Sequence, residues 1–255
     1  VIGNIGGTNN SDEGFGKYVS INYSGNVIAV MGEKDNDGSS SDAFTRVYYY
    51  NSNSWTKVGN DFATASSSTN TLNFNFGSML LSDAKPIALN KNPGENDGIR
   101  LIVGEFNYNN QKGRARVYQW NGGVWNNFST GSWEIMSSGT WSGITNGRLG
   151  WAVAINGEGN IVTIAQPGNF TNNWDNIGAV VGGDFASSKV FIKKLDGASW
   201  VDLGAISEPT GGTSAKRIFG WTVDINTEGN IISVSAPSIS NWPPHVYIYE
   251  LDNLG

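Results

Sequence analysis

Apolar and polar positions alternate in three short segments of the chain that share one layout. Each segment has two apolar residues separated by one residue, at Val19 and Ile21, Val153 and Ile155, and Val223 and Ile225. This period of two is typical of a strand with one buried face. A Phe-Gly or Leu-Gly pair precedes each strand, and ten residues after the start of that pair comes a Gly-Asn turn. Gly and Asn tolerate positive φ, so the pattern predicts a hairpin.

A fourth segment, which is second along the chain, begins at Phe76-Gly77 and carries an insertion before Asp97-Gly98. Each of the four segments continues with a triplet of a basic residue, Val and an aromatic residue, at 46–48, 116–118, 189–191 and 245–247. A Trp follows in three of them, at Trp55, Trp125 and Trp200. Each repeat is therefore predicted to be a four-stranded antiparallel meander, with strand a after Phe-Gly, strand b after Gly-Asn, strand c at the triplet and strand d at the Trp.

Four-stranded units that recur about every 50–75 residues are typical of β-propeller blades. The sequence predicts one all-β domain over residues 1–255, with four blades at 15–62, 76–135, 149–206 and 219–255. The last repeat stops after its strand c, and residues 1–5 match the strand d of the third repeat. We expect these first residues to complete the fourth blade and close the ring, because sheet edges are normally covered. The alternative is a piece of a longer propeller.

The Phe-Gly pair, the alternating strand, the Glu-Gly-Asn turn and Ala236-Pro237 resemble the FG-GAP-like repeats of integrin-type β-propellers. Gln166-Pro167 keeps half of the Ala-Pro element, and Gly32-Glu33 and Gly104-Glu105 replace it in the other repeats. The resemblance covers nearly the whole chain and implies a propeller of the kind found in bacterial and viral surface proteins. It does not fix the function, because such repeats occur in adhesins, lectins, enzyme-associated domains and virion proteins.

Composition excludes several classes of function. The chain has 16 basic and 22 acidic residues, a net charge of −6 that argues against nucleic acid as a partner. It has no Cys, hence no disulfide, thiolate nucleophile or Cys-bound zinc, which fits an exported or particle-borne protein. No apolar run approaches the roughly 20 residues that span a bilayer, so membrane insertion is not expected. No signal peptide is visible at the first residues, which is compatible with its removal.

A calcium site is predicted between strands b and c of the first repeat. Glu33, Asp35 and Asp37 stand at every second position, followed by Gly38 and then Asp42. This order of acids and glycine is typical of a Ca²⁺-binding loop. A solvated polar loop, with Asp and Gly chosen for turn geometry, explains the residues equally well. The integrin-type calcium loop between strands a and b is not expected, because those turns are too short.

Catalysis has little support in the sequence. The one histidine, His245, opens a strand c where other repeats have Arg46, Arg116 and Lys189, so it is expected to share their structural role. No Gly-x-Ser-x-Gly motif is present, and no feature singles out a pair among the 22 acids. The protein is not expected to be an enzyme.

Ligand binding is predicted for the long loops that join strands b to c and d to a, which should emerge on one face. They include residues 33–45, 126–148, 167–188 and 238–244. The predicted ligand-binding residues are Trp174 with Asn173 and Asp175, Trp242 with Asn241, and Trp141. An aromatic platform beside amides and a carboxylate suits a sugar ring, and Trp is also enriched at protein interfaces. Alternatively each Trp packs onto its own blade, as large aromatics usually do.

These features favour a non-catalytic recognition or adhesion module that binds glycan or protein at an extracellular or virion surface. The alternative is a structural subunit that self-assembles into a surface layer, filament or particle, which low charge and abundant Asn, Ser and Thr would permit. An enzyme acting on polysaccharide is the least supported class.

Overall fold

The computed structural model describes residues 3–7, 14–36, 40–51, 53–63, 84–91, 98–122, 131–168, 187–209, 217–238 and 243–252. In these ranges the chain forms four antiparallel β-sheets and one helical turn, α1 (Tyr108–Gln111). The prediction of an all-β protein is confirmed. Within the same ranges, no helix has the length and apolar character needed to cross a membrane.

The sheets follow one another along the chain, and each strand pairs with the next. Sheet 1 contains β1 (Tyr18–Ile21), β2 (Val27–Asn36), β3 (Ser40–Asn51) and β4 (Ser54–Lys57), with the short β5 (Phe62–Ala63) paired to β3. Sheet 2 contains β6 (Ile87–Leu89), β7 (Arg100–Gly104), β8 (Arg114–Trp120) and β9 (Trp133–Ser142). Sheet 3 contains β10 (Val153–Ile155), β11 (Ile161–Gln166), β12 (Lys189–Asp196) and β13 (Ser199–Ile206). Sheet 4 contains β14 (Val223–Ile225), β15 (Ile231–Ala236) and β16 (His245–Glu250).

Each turn from the first to the second strand is held by a buried or half-buried asparagine. Asn156 is 1% exposed, and its Oδ1 accepts hydrogen bonds from the main-chain N–H groups of Asn160 and Ile161, each at 2.9 Å. Its Nδ2 donates to Oδ1 of Asn160 at 2.8 Å. Asn22 and Asn226 make the corresponding bonds in sheets 1 and 4. In sheet 2 Asn90 accepts a hydrogen bond from the N–H of Arg100 at 3.0 Å across the longer insertion. In each of the four sheets, one asparagine side chain therefore fixes the register of the first two strands.

The strand d of sheet 2 differs from the prediction. The N–H groups of Tyr50, Trp120 and Leu195 each donate to the carbonyl oxygen of the residue that directly precedes the second strand of their sheet. These three residues therefore occupy equivalent positions. Their partners on the next strand are Trp55, Trp133 and Trp200. The Trp of sheet 2 is therefore Trp133 and not Trp125, which lies outside the described residues. Sheet 2 accordingly extends to Ser142, beyond the predicted end at residue 135.

The triplets of strand c are also displaced. The same equivalence places Phe191 and Tyr247 level with Arg46 and Arg116. Lys189 and His245 lie two residues earlier, so the prediction that His245 takes the arginine position is wrong. A displacement of two residues keeps every side chain on the same face of the strand, which is why alternation alone did not reveal it.

Neighbouring sheets pack face to face in a repeated way. We call the face that packs on the preceding sheet the leading face, and the face that packs on the following sheet the trailing face. Leading faces carry two large apolar residues of the first strand, namely Ile87 and Leu89, Val153 and Ile155, and Val223 and Ile225. Trailing faces carry the smaller residue between such a pair, namely Ser20, Ala88 and Ala154. First strands of successive sheets contact each other.

The first residues do not form the predicted closing strand. Residues 3–7 are not in a strand, and Gly3 lies against Trp55 of sheet 1, where an added Cβ would come within 3.0 Å of the indole Cδ1. Among the described residues, sheet 4 has three strands and nothing pairs with the free edge of β16. The expected completion of the fourth blade by residues 1–5 is therefore not observed in the described part of that segment.

We expect Asn156→Ala to lower the free energy of unfolding by about 2 kcal/mol, because two buried N–H groups lose their acceptor. Urea denaturation measures the loss. The matched control is Glu158→Ala in the same turn, since the exposed side chain of Glu158 accepts a hydrogen bond from the side chain of Asn160 and from no buried N–H group of the described residues. An equal loss in both variants would contradict this role for Asn156.

Candidate functional site

The predicted loop site falls mostly outside the described residues. Trp174, Asn173 and Asp175 lie in the range 169–186, and Trp242 and Asn241 lie in the range 239–242. Their part in ligand binding stays a prediction.

Trp141 is described, and it is not in a loop. It belongs to β9, where it pairs with Ala115, because a strand runs through the predicted connection 126–148. Its half-buried ring stands at 90° to Trp200, with ring centroids 5.8 Å apart. The observed contact is one of packing between sheets 2 and 3, and a ligand-binding role for Trp141 stays a prediction.

The segment predicted to hold calcium lies largely in two paired strands. β2 continues through Asn36 and β3 begins at Ser40, so residues 33–36 and 40–45 of the predicted loop 33–45 are extended strand, and residues 37–39 lie outside the described part. Asp42 pairs with Lys34, and Ser41 pairs with Asp35. Glu33 and Asp35 therefore lie in β2 and Asp42 lies in β3, while Asp37 lies outside the described residues. Their side chains lie outside the described part of the structure, and calcium binding by them stays a prediction.

A groove of about 410 Å³ lies where the outer strands of sheets 2 and 3 meet. Trp120 is among its lining residues, while the buried ring of Trp120 lies against Gly59 and Trp133 on the side of sheet 1, and its Nε1 donates to the carbonyl oxygen of Gly122 at 2.7 Å. One wall is β9 and the other is the turn between β12 and β13. The polar lining residues are Arg100, Gln119, Asn121, Glu134 and Ser137, and the apolar ones include Ile135, Met136, Leu195 and Ala198.

The polar side chains of the groove are oriented by their neighbours. Nη1 of Arg100 donates to the carbonyl oxygens of Glu158 and Gly159 at 3.3 and 3.4 Å, which ties sheet 2 to the first turn of sheet 3. Asn121 donates to the carboxylate of Glu134, and Ser132 Oγ donates to the same oxygen at 3.2 Å. The half-buried amide of Gln119 makes no hydrogen bond with another described residue. The groove thus offers a cation, an anion and an amide beside apolar surface.

The groove lies at the end of the sheets opposite to the predicted loop face. It is built by turns between strands a and b and between strands c and d, whereas the prediction concerned the b–c and d–a loops. Sequence reasoning missed it because each lining residue reads as an ordinary turn or strand-end position. The consecutive residues Gln119, Trp120 and Asn121 gave no distinctive signal.

Several acids that are wholly or partly buried are held by arginines. Glu105 is fully buried and accepts hydrogen bonds from Arg114 and Arg116. Burial raises the pKa of Glu105, and the two guanidinium groups oppose that rise. Glu208 accepts from Arg217 at 2.7 Å. These carboxylates fasten strands and connections together, a structural use of charge that requires close pairing.

Asp61 is paired in the same manner at the edge of sheet 1. Nε and Nη2 of the buried Arg46 donate to its two oxygens at 2.8–3.0 Å, and Nζ of Lys57 donates at 2.8 Å. Burial alone would raise the pKa of Asp61, but the hydrogen bonds from Arg46 and Lys57 lower it to about 2. The ion pair therefore connects β3 and β4 to the segment that follows them.

No protein-family model matches the chain, and no curated protein is significantly similar to it. The resemblance to FG-GAP-like repeats therefore stays a prediction.

The contribution of Asp61 to stability should depend on pH. Because its folded pKa lies below the ordinary value of 3.8, its stabilising effect is complete above that value and is lost as pH falls towards 2. We expect Asp61→Asn to lower the free energy of unfolding at pH 7 by about 1 kcal/mol, a modest value because the pair is partly exposed. The difference from the unsubstituted protein should shrink below pH 4 and be lost as pH falls through 2. Urea titrations at several pH values measure it, with the exposed Asp252→Asn as control, and a difference at pH 2 as large as that at pH 7 would contradict the assignment.

Proposed function

We propose that the protein is a non-catalytic recognition module that binds carbohydrate at an extracellular or virion surface. Its four sheets would be the blades of a propeller-type array. Four successive antiparallel sheets, with their first strands in contact, support the propeller part of this proposal. The lack of Cys and the low content of charged residues fit a protein that works outside the cell.

The observation that carries the proposal is the open groove between sheets 2 and 3. A sugar presents hydroxyl groups that both donate and accept hydrogen bonds, and C–H faces that pack on apolar side chains. Gln119, Arg100 and Glu134 supply donors and acceptors of each kind, while Met136, Leu195 and Ala198 belong to its apolar lining. The groove is rigidly built, because its walls are paired strands rather than free loops.

The buried and half-buried acids support a non-catalytic role. Glu105, Asp61 and Glu208 are each hydrogen-bonded to an arginine and are therefore engaged in the fold. A glycoside hydrolase would need two carboxylates facing each other across its cleft. Of the described groove residues, Glu134 is the one carboxylate.

The test is a screen of immobilised glycans, followed by calorimetry with the best binder. We expect Gln119→Ala and Glu134→Gln each to weaken binding about tenfold or more, because each removes hydrogen bonds to a sugar in a partly desolvated groove. Glu228→Gln is the matched control, since Glu228 is an exposed acid in the first turn of sheet 4, away from the groove.

Trp174→Ala and Trp242→Ala separate the groove from the predicted loop site. Loss of binding in these two variants, with Gln119→Ala and Glu134→Gln unaffected, would contradict the groove and favour the loop end. Absence of binding to any glycan would contradict the proposed ligand class.

A further inference from the structure

The two outermost sheet faces of the array expose side chains that are buried everywhere else. Val19 and Ile21, on the leading face of sheet 1, are 58% and 45% exposed. The equivalent residues of the other three leading faces are at most 9% exposed; they are Ile87, Leu89, Val153, Ile155, Val223 and Ile225. The exposure of β1 therefore reflects a missing neighbour and not a change in residue type.

The trailing face of sheet 4 shows the same contrast. Ile248 is 66% exposed, whereas its equivalents Val47, Val117 and Ile192 are at most 3% exposed. Val246 is 69% exposed, and its equivalent Val190 in sheet 3 is fully buried. Adjacent apolar residues on an exposed sheet face mark an interaction surface.

The two exposed faces are complementary halves of one type of interface. Each joint between described sheets brings a trailing face against a leading face, and this happens three times in the chain. The trailing face of sheet 4 and the leading face of sheet 1 are the two halves that lack a partner. A chain that carries both halves is complementary to another copy of itself in a head-to-tail orientation.

Charge supports the same pairing. In the joint between sheets 1 and 2, Ser20 Oγ accepts a hydrogen bond from the N–H of Leu89 at 3.0 Å. Asp224 is the equivalent of Ser20 in sheet 4, and Ile21 is the equivalent of Leu89 in sheet 1. An identical joint would bring the Asp224 carboxylate close to Ile21. The Nζ of the exposed Lys91 donates to the carbonyl oxygen of Ile21 at 2.8 Å, so a cation lies beside the same residue. Within the chain the exposed Asp224 carboxylate lies 3.8 Å from Nζ of Lys85.

We propose that a second copy of this chain binds head to tail, with the trailing face of its sheet 4 on the leading face of sheet 1. Val246 and Ile248 pack on Val19 and Ile21, and Asp224 pairs with Lys91 across the joint. The contact has the same geometry as the joints within the chain. It is independent of the carbohydrate groove, which lies between sheets 2 and 3.

The first experiment is size-exclusion chromatography with light scattering on the 255-residue chain over a range of concentrations. We expect a mass of at least twice the 27.3 kDa of one chain. A mass of one chain at every concentration would overturn the proposal, whether the faces stay open or close on each other within the chain.

Two variants block the two faces separately. The leading-face variant is Val19→Glu with Ile21→Glu, and the trailing-face variant is Val246→Glu with Ile248→Glu. Each should run as a single chain, with association weakened about 100-fold or more, because an unpaired charge is placed in an apolar joint. Unchanged circular dichroism and melting temperature show that folding is intact, as expected for exposed positions. Val201→Glu, at a 39% exposed apolar position of β13, is the matched control and should leave the assembly unchanged.

Mixing the two variants tests the head-to-tail orientation. The leading-face variant keeps an intact sheet 4 face, and the trailing-face variant keeps an intact sheet 1 face. Their mixture should therefore form a complex of two chains that neither variant forms alone. Failure of the mixture to associate, or association lost equally in Val201→Glu, would overturn the proposal.

Discussion

The packing of each sheet on its neighbours is the constraint on which the rest of the structure depends. The first strands of sheets 2 and 3 are buried on both sides, with a large apolar pair on the leading face and alanine on the trailing face. The alternation lets sheets approach closely, because small residues receive large ones. Sheets 1 and 4 obey the same alternation on their covered faces. The residue type at each position is thus set by the recurring joint between sheets. The apolar residues at these positions are exposed on the two end faces, where no neighbouring sheet covers them.

Such joints require that every strand holds its register, and the buried asparagines provide this. A slip of one residue would move Val153 and Ile155 from the leading face to the trailing face and would destroy two joints. The side chain of Asn156 prevents the slip by fixing the N–H groups that begin the next strand. Gly159, with φ of 77°, allows the chain to turn within that span. Local turn chemistry and long-range packing therefore specify the same structure.

The sequence predicted the sheets well because their signals are local. Alternation and Gly-Asn turns located the first two strands of three sheets, and the four antiparallel meanders follow from them. The sequence-based prediction failed where the distance between two residues along the chain differs from one repeat to the next, while the sheet face and the residue types stay the same. Trp125 and Trp133 are equally plausible closing residues until hydrogen bonding shows that Trp133 pairs with Trp120. The polar run from Glu33 gives the same signal whether it forms a loop or a solvated hairpin. The groove was hidden because Gln119 and Glu134 meet only through pairing of β8 with β9, a contact that no local pattern records.

The position of the groove has a consequence if copies associate through their end faces. The groove lies at the joint between sheets 2 and 3, in the middle of the array, so contacts at sheets 1 and 4 leave it open. An assembly of two or more chains would carry one groove per chain in a fixed relative orientation. Weak binding of each groove to a repeating glycan would then add up through effective concentration, which raises the overall affinity by orders of magnitude without any new contact. An open groove of modest size is well suited to multivalent binding, because an assembly that binds through many sites needs only a low affinity at each site.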